Sequence, residues 1–284
     1  MPFYGCGGAP ASIMPDAASA LRQMHYGAAC SHGLQIEAKA DYFENSRRVR
    51  GNLSVLAVLP DNIRIEVYSP FGLSLSTLTS DGTQFALYEL SSRQFWWGPA
   101  SSCNLARFTR VSLPPFVLVQ LLRGEAPVLV HGPNQASIVW ESSWLGTGHY
   151  AVEIHGKHDS MEKINLVPAA DDWALPWSQQ RLHVTNVEVS QAGRKLYQVM
   201  MEGHASAQTA PPREDPDGIE PPIMPSGPPC ATEVPRRIRF VSANGETDFV
   251  LSYGSVYHNP PLLSTVFRQT IPAGVRVMRS ECSN

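Results

Sequence analysis

Between residues 62 and 90, apolar and polar side chains alternate in three short runs. Ile63, Ile65 and Val67 alternate with Arg64 and Glu66, Leu73 and Leu75 with Ser74 and Ser76, and Phe85 and Leu87 with Gln84, Ala86 and Tyr88. A period of two puts one set of side chains on each face of a pleated chain, so the runs predict half-buried strands. Ser69-Pro70-Phe71-Gly72 and Ser80-Asp81-Gly82-Thr83 supply the turns, the second with an Asp-Gly pair suited to a two-residue hairpin. The segment reads as three antiparallel strands in meander order.

The same period recurs on both sides of this meander. Leu34, Ile36, Ala38 and Ala40 alternate with Gln35, Glu37, Lys39 and Asp41, and Leu53, Val55, Ala57 and Leu59 share one face of the 47–59 segment. Further strands are expected at 93–97, 136–141, 148–155, 161–167, 181–189, 194–203, 236–241 and 247–253, with Gln191-Ala192-Gly193 and Ala243-Asn244-Gly245 as turns. Residues 113–124 differ: Pro114 and Pro115 open a compact apolar run that Gly124 ends, the signature of a short buried helix. A parallel core strand is the competing reading of that run. Residues 205–235 break the pattern with nine prolines among acidic and small residues, describing an exposed, extended insertion. The tail at 265–277 is expected to close the sheet.

At least ten short strands with little helix describe a mainly β fold, an antiparallel open half-barrel with a short helical plug. Residues 1–24 read as a signal remnant and tether, with a short helix beginning near Leu21, and 25–284 as a single domain. A sheet curled over a plug that fills only part of its concave side leaves a cavity. Alternate strand and helix positions nominate Ile36, Ile65, Leu75, Leu87, Trp96, Leu118 and Leu121 as its lining. That lining suits an acyl chain.

Composition narrows the function. A hydrophobic content of 43% fills a sizeable core, and a net charge of −3 with 17% charged residues lacks the basic excess that phosphate neutralisation requires. Nucleic acid is excluded as a first reading, and no apolar run reaches the length of a membrane-spanning helix. Gly5-Cys6-Gly7-Gly8 resembles the end of a bacterial lipoprotein signal, which nominates Cys6 for lipid attachment. Only five residues precede Cys6, so a basic and then hydrophobic stretch is expected in frame upstream of Met1. Cys30, Cys103, Cys230 and Cys282 are compatible with zero, one or two disulfides, their pairing left open.

Chemistry-bearing clusters are few. His155-Gly156-Lys157-His158-Asp159 falls at a turn and lacks a third ligand at characteristic spacing, so no metal site or cofactor is expected. Asp171-Asp172 reads as a pair of loop acids. Gly-x-Ser-x-Gly, Walker and His-Glu-x-x-His motifs are absent, and the chain reads as a non-enzyme. The six tryptophans fit core or rim packing.

The order of these signals resembles a known family. A strand, the Pro70-Phe71-Gly72 turn, a second strand, the Asp81-Gly82 hairpin, an aromatic strand, a Pro-led helix ending Leu122-Arg123-Gly124 and a late Phe267...Ile271-Pro272-Ala273-Gly274 look like the bacterial outer-membrane lipoprotein carriers and receptors of the LolA/LolB-like fold. The resemblance spans roughly residues 25–204 and 236–279. It implies an open barrel shielding lipid chains and, in the receptor branch, a lipid-anchored protein whose protruding apolar loop residue assists transfer into the membrane. The matching residue is Phe71, with Pro70 and Gly72 beside it.

The expected function is a cell-envelope protein, lipid-anchored at the outer membrane and facing the periplasm, that binds a lipid or lipoprotein acyl chain in its cavity and serves lipoprotein localisation. The alternative is a structural or interaction lipoprotein whose sheet is a scaffold and whose Pro-rich insertion contacts a protein partner.

Overall fold

The computed structural model describes residues 9–44, 47–109, 112–142, 148–242, 248–263 and 265–281. The chain opens with α1 (Ala17–Ala28), which starts earlier than the sequence pattern predicts. Asp16 caps it: its carboxylate accepts the Ser19 N–H at 2.7 Å, satisfying an N-terminal donor that has no partner within the helix. Ala17, Ala20, Leu21 and Met24 are buried, as is Met14 just before the helix. The segment expected as a tether is thus partly core, because an Asp-initiated run of small residues makes a helix face that packs closely.

Six strands follow, each antiparallel to the next: β1 (Gly33–Glu44), β2 (Arg47–Val58), β3 (Asn62–Tyr68), β4 (Ser74–Asp81), β5 (Gln84–Glu89) and β6 (Gln94–Pro99). The predicted meander occupies β3 to β5. Its second turn differs in detail: Asp81 ends β4, and its carboxylate accepts the N–H groups of Thr83 and Gln84 at 3.1 and 2.9 Å, while Gly82 takes φ +84°. The Asp therefore acts as a side-chain acceptor and leaves the positive φ to Gly82.

Two helices come next, α2 (Ser102–Thr109), which sequence periodicity does not announce, and α3 (Pro115–Leu122), the predicted Pro-led plug. Then β7 (Ala136–Glu141), β8 (His149–His155), β9 (Ser160–Pro168), β10 (Leu182–Gln191) and β11 (Arg194–Glu202) form a second meander. Ala192 and Gly193, with φ of 49° and 71°, make its last turn.

The Pro-rich insertion contains the small pieces β12 (Ala205–Ser206), β13 (Gln208–Thr209) and β14 (Glu233–Val234), and a Cys30–Cys230 disulfide ties it to the chain just after α1. β15 (Arg237–Ser242) and β16 (Asp248–His258) return to the sheet; their expected turn, Ala243-Asn244-Gly245, lies outside the described residues. β16 pairs with β1 and thereby joins the two meanders into one sheet ordered β6-β5-β4-β3-β2-β1-β16-β15-β11-β10-β9-β8-β7.

The tail does not close this sheet. β17 (Arg276–Arg279) lies parallel to β6 at one edge, and β7 remains the other edge. Before reaching that edge the tail crosses the outward face of the first meander. The Gln269 amide donates to the Thr77 and Ala86 carbonyls, each at 3.0 Å, and the Arg64 guanidinium donates to the Val266 carbonyl at 3.1 Å. The strap absorbs polar groups on that face and leaves the half-barrel open.

On the concave side the helices divide the space. α1 packs across β10 and β7, and α3 packs on β2 and β3. Their C-terminal ends are knotted together by Arg123, only 4% exposed, whose guanidinium donates to the Ala28 and Ser31 carbonyls and pairs with Glu125. Burial alone would raise the Glu125 pKa, but hydrogen bonding to His25 and the Arg123 charge outweigh it and hold the carboxyl below its usual range. Tyr253 on β16 donates its hydroxyl to the Leu122 carbonyl at 3.0 Å, pinning α3 to the centre of the sheet.

Candidate functional site

The space that α3 leaves unfilled is a cavity of about 780 Å³ at the end of the sheet where β1 and β3 finish and β2, β4 and β16 begin. A volume of this size falls within the ~300–1,000 Å³ typical of small-molecule sites. Leu53, Val55, Ile65, Val67 and Leu75 line it from the first meander, Leu118 and Leu122 from α3, and Phe240, Phe249 and Leu251 from β15 and β16. The Phe249 ring lies 6.0 Å from Tyr42 and 6.2 Å from Phe240, forming an aromatic wall. Ala40 and Gly51 face each other across the β1–β2 ladder, and their small size leaves the space open.

Polar groups border the mouth. Tyr68 donates its hydroxyl to Glu66, which also pairs with Arg64; burial first, and then this carboxylate, push the Tyr68 pKa up to about 12. Tyr68 is therefore a neutral hydrogen-bonding group at any ordinary pH. Lys39, Asp41, Arg50 and Glu89 complete the charged part of the lining.

The β3–β4 turn stands at the same opening, with Ser69 and Pro70 in the cavity wall. It is held by its own hydrogen bonds. The Ser69 hydroxyl accepts the N–H groups of Phe71 and Leu73 at 3.3 and 3.1 Å, the Ser69 carbonyl accepts from Gly72 at 3.0 Å, and Gly72 takes φ +80°. Only a residue without Cβ adopts that φ readily. The ordered turn leaves Phe71 96% exposed, with Leu73 at 59% and Leu75 at 41% behind it. A wholly exposed phenylalanine on a fixed tip is an apolar group offered to something outside the chain.

The residues nominated from sequence separate into two groups. Ile65, Leu75 and Leu118 line the cavity. Ile36, Leu87 and Leu121 lie in the packed core, and Trp96 packs half-buried against it, so these four are corrected from cavity lining to core. All face the concave side, as their alternation requires, but the plug covers part of that side and strand period cannot tell covered from open positions. Phe240, Phe249 and Leu251 were not nominated, because only the distant pairing of β16 with β1 carries them to the cavity. Leu53 and Val55 were legible in the β2 alternation. Cys6 lies outside the described residues.

The other clusters offer less. His155 pairs with Glu153, while His158 and Asp159 turn the chain with φ of 57° and 53°. Asp172 is taken up by Arg181, which donates to both its oxygens at 2.9 and 3.1 Å. Trp140 packs edge-on against Tyr150 and Trp173. Among the described residues no three His, Cys, Asp or Glu side chains are grouped to hold a metal ion. A smaller cleft of about 420 Å³ lies where β9 ends and β10 begins, with the His183 and His204 rings stacked 4.4 Å apart and His183 bonded to Glu233 at 2.7 Å.

No protein-family model matches the chain, and no curated protein matches it in sequence. Solved structures do. A LolA superfamily protein from Nitrosomonas europaea superposes with a TM-score of 0.51 at 13% identity, over 90% of this chain and 99% of that one. A DUF1329 family protein from Desulfovibrio piger superposes with a TM-score of 0.55 at 10% identity, over 90% of this chain and 98% of that one. At these identities the likeness is one of architecture: the open, plugged sheet described above is a LolA/LolB-like fold.

Proposed function

We propose that the chain is a non-catalytic bacterial cell-envelope protein, anchored at the outer membrane through Cys6, that holds the acyl chain of a lipid or lipoprotein and serves lipoprotein localisation. One observation carries the reading: an apolar cavity of about 780 Å³ opens beside a fixed turn that exposes Phe71. Each acyl methylene withdrawn from water contributes about 0.8 kcal/mol, so a chain of ten carries ~8 kcal/mol of transfer free energy before the losses of binding are subtracted. The likeness in fold to a LolA superfamily protein supports the same reading.

The test is native mass spectrometry of the gently purified full chain, with Leu53→Trp as the comparison. Leu53 lines the cavity and is 6% exposed, so a larger ring there fills acyl space. The expected outcome is co-purified lipid or lipopeptide on the parent chain and its loss from a folded Leu53→Trp. A parent chain recovered empty would turn the reading to a scaffold, with the insertion at 205–235, where Ile219 and Met224 are 84% and 63% exposed, as the partner surface.

A further inference from the structure

The two ends of the Pro-rich insertion meet on one side chain. His183 of β10 lies between Leu182 and Val184, both packed in the core, so its own side chain leaves the sheet by the other face. There His204, where the chain enters the insertion, stacks on it with ring centroids 4.4 Å apart and planes within 2° of parallel. Glu233, where the chain returns, holds its Nε2 at 2.7 Å. Beside these contacts β12 and β14 pair Ala205 with Val234 and Ser206 with Glu233. The two ends are not equally fixed. Cys230 ties the Glu233 side to Cys30, whereas His204 belongs to a short span between Gly203, at φ +69°, and the pairing of β13 with β16. The His204 side is the one that can swing.

This arrangement holds uncharged imidazoles and has no place for charged ones. The Val184 carbonyl takes the hydrogen of one His204 nitrogen, while Nε2 is buried without a hydrogen-bond partner. An imidazolium carries a proton on both nitrogens, and this ring is provided for one only. Two imidazolium rings at stacking distance would also repel each other. Burial is the largest influence on both: it lowers the His183 pKa and takes that of His204 down to about 3. The charges facing the pair do not reverse it. Glu233 favours a proton on His183, Arg181 opposes one, and Asp172, which favours one least, is itself bound by Arg181 at 2.9 and 3.1 Å. Asp171 lines the same cleft, and Arg236, just before β15, turns its guanidinium to the Ser206 and Gly254 carbonyls. We propose that His204 stacked on His183 is an acid-sensitive clasp of the insertion: it keeps β12 on β14 while its ring is neutral and lets β12 go when the ring takes up a proton in water. Such a ring titrates near 6.5 once released, so the closed clasp is fully favoured above that pH and weakens about tenfold for each unit below it.

The experiment is hydrogen exchange of the full chain from about pH 7.5 to 5, read as protection factors so that the intrinsic effect of pH on exchange is removed. Protection of β12 and β14 should be constant above pH 6.5 and fall about 30-fold between 6.5 and 5, the effect of one proton, while that of β10 and β11 stays level. His204→Phe keeps a ring on His183 and removes the titrating nitrogens, so its β12 and β14 should be protected equally at every pH. Should that variant fail to fold, the imidazole nitrogen signals of the parent chain decide, since His204 must remain neutral at pH 5 wherever β12 is still protected. Constant protection in the parent, a His204→Phe that keeps the parent's decline, or a His204 that titrates near 6.5 under a protected β12 would each overturn the clasp. None of these outcomes depends on what fills the cavity, which lies on the concave face of the sheet.

Discussion

The two meanders of the sheet alternate alike and end differently. Behind β7 to β11 the concave face carries Tyr150, Ile154, Ile164, Leu166, Val184 and Val187, all fully buried or nearly so, and α1 lies across them. Behind β1 to β5 the corresponding face is covered by α3 at one end only, and at the other Ala40 and Gly51 leave a cavity. Amphipathic strands set which side faces inward; side-chain size and the reach of the helix decide whether that side is filled. One half contributes rigidity and the other the vacant space that binding needs.

Truncating one leucine on each side measures the contrast. Leu166, 0% exposed, is surrounded by core, and Leu166→Ala should destabilise the chain by about 2–5 kcal/mol in urea unfolding. Leu53 already borders a void, so Leu53→Ala removes fewer contacts and should cost less than half as much. Equal losses at the two positions would mean that the cavity collapses in solution.

The filled half also holds a buried carboxyl. Glu162 on β9 is 0% exposed; one of its oxygens accepts the Leu129 N–H at 2.8 Å and the other has no hydrogen-bond partner. Burial raises its pKa to about 7, against the partial relief that the Leu129 N–H gives. The folded chain therefore binds this proton more tightly than the unfolded chain. Its contribution is complete below the ordinary glutamate range and is lost as pH rises toward 7, a difference on the order of 3 kcal/mol. Glu162→Gln should flatten the stability profile between roughly pH 4.5 and 7 and make the variant the more stable form at pH 8. A variant with the parent's pH profile would show that Glu162 ionises without penalty.

Much of this division was legible in the sequence and part of it was not. Period-two runs located the strands of both meanders, and Pro114-Pro115 with Gly124 located α3, because these signals are local. The pairing of β16 with β1, across more than two hundred residues, is not local, and with it Phe240, Phe249 and Leu251 escaped notice. The same limit placed Ile36 and Leu87 in the cavity: their inward direction was correct, but what covers them is a helix from elsewhere in the chain. The start of α1 was missed: its Asp16 cap lies among small residues whose composition reads as a tether, so the helix was expected only from Leu21. Phe71 was nominated through the family resemblance, as the apolar residue of the turn that matches the protruding loop, and it stands exposed on the turn at the cavity mouth.

Phe71 supplies the smallest expected change in stability and the sharpest separation of packing from function. Its ring is 96% exposed, and the turn beneath it is held by Ser69 and by the φ of Gly72, none of which depends on the ring. Phe71→Glu should therefore shift unfolding by no more than about 0.5 kcal/mol, as surface changes usually do. A carboxylate at the same tip cannot enter an acyl boundary without desolvation, so transfer of bound lipid or lipoprotein to vesicles should fall while uptake into the cavity, bounded by Leu53, Ile65, Leu118 and Phe249, is retained. Loss of uptake together with transfer would make Phe71 a lid over the hollow half. Loss of folding would return its ring to the core, and the contrast between the two halves would then no longer run through this turn.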